Sequence, residues 1–243
     1  PAPVGTIALM GATGVFLYYL AYNVALVYTS ATQAALVQSF IPVVTALLAF
    51  FFLREPLSTA RLLGIGISIS GIFLILAVSE AGAGAPDPFA GNLLVLASVV
   101  LWSAYTILAK RLAHLDQLAV TAGATVVGTI LLAPAALVEI AVVGLPQISL
   151  SGWASVVYLG AFSSAAALLL YNRSLQHLSA SQAANFLNLM PVVAILTALV
   201  FLGESVTGWQ LAGGKLVFAG VWISLQNRRG AAMAEIVETP SAS

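Results

Sequence analysis

Cysteine is missing from all 243 residues, which excludes disulfide frameworks, thiolate zinc sites and cysteine nucleophiles. Charge is nearly as scarce. Eight basic and eight acidic side chains make up 7% of the chain, with no net charge. A soluble domain carries about 25% charged residues, because water must solvate its surface. Without a basic face to neutralise phosphates, a nucleic-acid partner is excluded as well. The two histidines, His114 and His177, are far apart in sequence, so no His-Glu-x-x-His-like cluster is present and no metal or other cofactor is expected. No glycine-rich Lys-Ser/Thr loop is present to cradle a nucleotide. An aspartyl dyad is excluded because Asp87 and Asp116 fall in connections on opposite sides of the membrane.

Apolar residues fill the space left by charge. They form 61% of the chain, and the mean hydropathy is +1.06. Crossing a bilayer takes about 20 mostly apolar residues in a helix that satisfies its own backbone. Eight such runs are predicted, near 4–27, 31–53, 60–78, 91–109, 117–142, 152–172, 180–202 and 208–226. The expected fold class is therefore all-α: a polytopic membrane helix bundle whose solvent partner is the lipid bilayer. Seven of the eight basic residues lie in or beside the even connections or beyond the last run. They are Arg54, Arg61, Lys110, Arg111, Arg173, Arg228 and Arg229. Such a bias places both termini in the cytoplasm.

Residues 11–71 align with 160–220 at a constant offset of 149, with 22 identities in 61 pairs. The informative matches are Gly11/Gly160, Tyr22-Asn23/Tyr171-Asn172, Gln33/Gln182, Pro42/Pro191, Glu55/Glu204, Gly64/Gly213 and Gly71/Gly220. Polar and helix-breaking residues at one phase in two apolar segments point to an internal duplication. The first copy covers spans one to three and the second spans six to eight, so the copies run in opposite senses across the membrane. Inverted-topology repeats are a signature of secondary transporters. Spans four and five precede the second copy without counterparts before the first. Symmetry thus predicts two further spans ahead of Pro1, in a parent of five plus five.

These residues resemble the EamA-type ten-helix branch of the drug/metabolite transporter superfamily. The resemblance is carried by Ala31–Ala35, Pro42–Val44 and Phe52–Glu55, repeated as Ala180–Ala184, Pro191–Val193 and Phe201–Glu204. The stretch from Leu101-Trp102-Ser103-Ala104-Tyr105 through Lys110-Arg111 resembles the opening helix of a second unit. The resemblance implies the last three helices of a first repeat over 1–78 and a complete second repeat over 91–226. A disordered cytoplasmic tail is expected over 227–243. It also implies export of small organic metabolites, such as amino acids or amphipathic compounds, by alternating access in a bacterial inner membrane. A coupling proton, a counter-substrate and facilitated diffusion all stay open, as does the oligomeric state. A channel, an inert membrane scaffold and an intramembrane Ser–Lys enzyme using Lys215 are the competing classes.

Candidate site residues follow from polarity inside apolar runs. Pro42 and Pro191 break spans two and seven at matched positions, the expected pointer to a central site. Around them lie Gln33 and Gln38, and Gln182, Asn185 and Asn188; Trp102 and Tyr105 in span four, with Tyr18, Tyr19 and Tyr22 in span one, could complete a polar-aromatic cavity. Their alternative role is interhelical hydrogen bonding. Lys215 stands inside a span, where a charge is costly and therefore a candidate anion site or a counter-ion to Glu139. Snorkelling to the interface is the alternative. Glu55 and Glu204 end matched helices and are read either as gating or coupling groups or as caps for the next helix. The Gly pairs and the ridge of Thr121, Thr125 and Thr129 are read as packing features.

Overall fold

The computed structural model describes residues 3–77, 86–144, 148–190, 192–193 and 208–238. Among these the secondary structure is helical. Span one comprises α1 (Val4–Met10), a π-helical segment π1 (Gly11–Leu17) and α2 (Tyr18–Tyr28). Span two is divided into α3 (Ala31–Gln38) and α4 (Ile41–Leu53), and α5 (Thr59–Ala77) is the third. α6 (Pro88–Arg111) and α7 (Gln117–Val143) follow as long single helices. Span six repeats the pattern of the first, with α8 (Leu150–Tyr158), π2 (Leu159–Ala166) and α9 (Ala167–Ser174). α10 (Ala180–Asn185) tightens into a 3-10 turn at Phe186–Leu189, and α11 (Gly208–Glu238) closes the chain. α11 thus continues past residue 226, where the sequence placed the end of its span.

Among the described residues, five helical segments are long and apolar enough to cross a membrane: Val4–Tyr28, Gln33–Leu53, Pro88–Arg111, Gln117–Val143 and Leu150–Ser174. Thr59–Leu74 and Leu211–Ser224 are shorter apolar helices. Burial follows the logic of lipid rather than water. Phe51, Leu137, Val138 and Trp222 are exposed, whereas Thr45, Ser103, Asn172 and Asn185 are buried. A water-soluble domain distributes these types the other way.

Local chemistry explains where the helices begin and stop. Asp87 accepts from the Ala90 N–H ahead of α6, Asp116 from Leu118 ahead of α7, and Ser30 from Gln33 ahead of α3. Ser179 and Gln182 form a reciprocal capping box at α10. α4 ends at Arg54, which adopts the left-handed conformation with φ of 55°. Span two breaks because Pro42 has no N–H and its ring opposes the carbonyl four residues back, that of Gln38. α3 stops at Gln38, and Ser39 turns its hydroxyl onto Leu36 O at 2.7 Å.

The most extensive pairing among the described residues is α5 against α11. A Cβ on Gly64 would sit 2.5 Å from Gly220 O, and one on Gly71 2.6 Å from Gly213 O. Between them Ser68 Oγ lies 3.5 Å from Val217 O. The contacts are reciprocal: Gly64 meets the counterpart of Gly71, Gly71 meets the counterpart of Gly64, and Ser68 meets its own counterpart. Gly64→Val should therefore force the crossing apart, at about 1–3 kcal/mol of stability. Gly66→Val, with nothing within 4 Å of the new Cβ, should change the thermal midpoint in detergent little. Equal shifts for the two would refute the close crossing.

Candidate functional site

The two π segments begin at or beside the matched glycines Gly11 and Gly160. The Tyr18 N–H donates to Thr13 O and the Ala167 N–H to Phe162 O, each five residues back. π segments cluster at functional sites in helical proteins. Here they bring the aromatic residues of α2 and α9 against α6. Gly14 in π1 is needed because the Tyr105 ring lies where its Cβ would be.

Trp102 is the centre of this aromatic group. Its ring centroid is 4.9 Å from Tyr18, 5.3 Å from Tyr105 and 5.5 Å from Tyr171. Tyr18 also stacks on Tyr22 at 6.1 Å. Most hydroxyls are engaged. Gln38 Nε2 donates to the Tyr18 hydroxyl at 3.3 Å, and Tyr105 donates to Asn172 Oδ1 at 2.9 Å. Asn172 Nδ2 in turn donates to Thr121 Oγ1 at 2.9 Å, and the Tyr171 hydroxyl shares a proton with Thr106 at 2.9 Å. Tyr19 reaches across to Ser164 in π2 at 3.4 Å. Trp102 Nε1 is buried near the Tyr171 hydroxyl, yet meets no acceptor in hydrogen-bonding geometry. Rings supply contact area here, and hydroxyls and amides supply orientation, with no formal charge in the group.

Of the residues singled out in the sequence, Trp102, Tyr105 and Gln38 come together in this cluster, with Tyr18, Tyr19 and Tyr22. Gln33 lies elsewhere: its Oε1 is 2.9 Å from the Thr29 hydroxyl and accepts from Asn92 Nδ2 at 3.2 Å. Gln182, Asn185 and Asn188 form a second buried chain against α11. Gln182 Nε2 donates to Ser224 O at 3.1 Å, Asn185 Nδ2 to Ser224 Oγ at 3.0 Å, and Asn188 Nδ2 to Asn185 Oδ1 at 3.3 Å. Pro42 sits at the start of α4, directly after the break in span two. Lys215 and Glu139 are both exposed and stand outside the aromatic cluster. Pro191 and Glu204 lie outside the described residues.

Glu55 joins α4 to the opposite half of the chain. Its Oε1 accepts from the Ala180 N–H at 2.9 Å, and its Oε2 is 3.6 Å from Arg61 Nη1. Sequence reasoning assigned no role to Tyr171, Asn172, Thr106 or Ser224. The repeated Tyr-Asn pair was the available signal for the first two; Ser224 has no polar counterpart 149 residues earlier, where Ile75 stands. Lys110 and Arg111, read as markers of sidedness, also satisfy carbonyls. Lys110 Nζ donates to Leu175 O and Leu178 O, and Arg111 Nη2 to Phe52 O.

A model of the EamA-like transporter family matches residues 1–77 and 89–226. A probable terminal-alkyne amino-acid exporter of Streptantibioticus cattleyicolor is 34% identical, over 96% of this chain and 76% of its own length. An uncharacterized transporter of Archaeoglobus fulgidus is 32% identical over 90% of this chain and 76% of its own. The transporter YetK of Bacillus subtilis, also uncharacterized, is 28% identical over 89% of this chain but only 66% of its own length. One crystal structure superposes with a TM-score of 0.77 at 22% identity, covering 93% of this chain and 79% of the other, which shows the fold.

The cluster makes a direct contrast testable. Asn172→Leu leaves the Tyr105 and Thr121 hydroxyls without their buried partner and should cost about 1–3 kcal/mol in unfolding experiments. Its counterpart Asn23 is exposed, so Asn23→Leu should leave stability nearly unchanged. Equal losses would show that the buried network contributes nothing of its own.

Proposed function

The chain belongs to the EamA-like transporter family, and from that premise we propose that it carries small amphipathic organic solutes across the membrane by alternating access. One observation bears most of this reading. Three spans, two of them interrupted by π segments at matched positions, converge on an uncharged group of rings and amides around Trp102. π segments within helices are frequent at functional sites, and the sites of secondary transporters lie near the bilayer midplane.

The reciprocal α5–α11 crossing supports the inverted duplication read from the sequence, with its units over 1–78 and 91–226. Close backbone contact makes that crossing a fixed axis about which the two halves rock. The exporter relative supports an amino acid or similar compound as solute, moved outward. The distribution of Lys and Arg supports cytoplasmic termini, and the resemblance to transporters of bacteria supports a bacterial inner membrane. Coupling through a proton or a counter-substrate belongs to the same reading. The chain spans 66% to 76% of the three relatives compared, and the activity proposed is that of the whole protein containing it.

Counterflow in proteoliposomes tests the proposal, with radiolabelled L-phenylalanine and L-propargylglycine as probes. Saturable uptake accelerated by unlabelled probe inside is expected, and Trp102→Ala should raise KM about tenfold by removing ring contacts. Unsaturated, ohmic flux would instead identify a pore.

A further inference from the structure

Glu55 is a largely buried carboxylate that the site around Trp102 does not use. Its side chain is 13% exposed and that of Arg61 10%. The pair sits where α4 meets the start of α10, the end of the bundle that the charge distribution assigns to the cytoplasm. α10 already carries its own capping box from Ser179 and Gln182. The Ala180 N–H is a further unpaired donor of that helix start, and Glu55 from the other half of the chain accepts it.

We propose that Glu55 is a latch: its carboxylate clamps α10 to α4, and its release opens a path from that side to Trp102. The latch rests on the carrier reading given above. Three features make the contact suited to opening and closing. Arg61 belongs to the same half as Glu55 and is itself fixed, donating from Nη1 to Pro56 O at 3.0 Å. The carboxylate therefore stays with its counter-ion when α10 leaves. Glu55 Oε2 is buried without a hydrogen-bond donor, so the clamp on α10 consists of one charge-assisted bond. Beneath it the seam sets alanines among larger aliphatic side chains: Ala49 and Ala180 pack with Ile107, then Ala184 packs with Ile41 and Val99. Trp102 borders that second layer. Parting α4 from α10 thus leads from Glu55, past alanines, to the indole.

The absence of native cysteine makes the test direct. Ala184→Cys lies beneath the latch, and Ala25→Cys lies in a separate buried cluster with Ala34 and Val95. Each is introduced alone into the full chain in proteoliposomes, and the rate of maleimide modification is measured. Glu55→Gln should speed modification at Ala184→Cys roughly tenfold, the effect of weakening one charged hydrogen bond. Modification at Ala25→Cys should stay as slow as before. An unchanged rate at Ala184→Cys overturns the latch. A joint rise at both positions also overturns it, because that reports general loosening. Should Glu55→Gln fail to fold, Glu55→Asp, one methylene short of Ala180, carries the test by the same criteria. Modification requires no solute, so failure of the latch and failure of the transport reading are separately visible.

Discussion

Lipid offers no hydrogen bonds, so every backbone N–H and C=O inside the bilayer must find its partner within the protein. This condition fixes more than the helical fold. Wherever a span is interrupted, groups released from the helix have to be met by side chains. Thr13 Oγ1 donates to Leu9 O at 2.8 Å as π1 begins, and Ser39 does the same for Leu36 O at the break in span two. Ser174 Oγ donates to Tyr171 O where α9 ends. Polar side chains therefore gather where the helices are irregular, and those places are where a solute can find orienting groups. The link between broken helices and binding is a consequence of solvation before it is one of mechanism.

Apolar runs and their flanking charges made several spans legible to within a few residues: run 4–27 is the helical segment Val4–Tyr28, and run 117–142 is Gln117–Val143. Pro42 announced the break that follows α3. The π segments had no such signal, because an extra residue per turn reflects how a helix packs and not which residues compose it. Helix rotation was equally hidden. Asn185 and Asn188 share a face by spacing, but nothing local says that this face meets Ser224 and not Trp102. Lys215 drew attention as a charge inside a span, yet its side chain is exposed on α11.

The repeated Tyr-Asn pair shows how far residue identity can go. Asn172 is fully buried and bonded to Tyr105 on α6 and Thr121 on α7. Asn23, the same residue at the same phase of the first copy, is exposed. The difference lies in what packs against each helix, since α6 and α7 supply the partners of Asn172. Identical side chains at matched positions can differ in role, because role is assigned by neighbours. The same holds for Ser68 and Val217, which differ in chemistry but occupy one crossing because the glycines on either side let two backbones touch.

A charge near the bilayer centre is expensive, and the ion pair of Glu55 and Arg61 stands instead where α4 gives way to α5. The middle is left to rings, hydroxyls and amides, whose dipoles can orient a solute without requiring a permanent counter-charge. Trp102 touches tyrosines from three helices, its own α6 together with α2 and α9. A solute entering between these rings must part them, so its binding energy differs between arrangements of α2, α6 and α9. A ligand shifts a conformational equilibrium only through such a difference. In the carrier proposed above, the aromatic cluster would thereby join recognition to movement: contacts that held a solute would be the same ones that set the spacing of the helices.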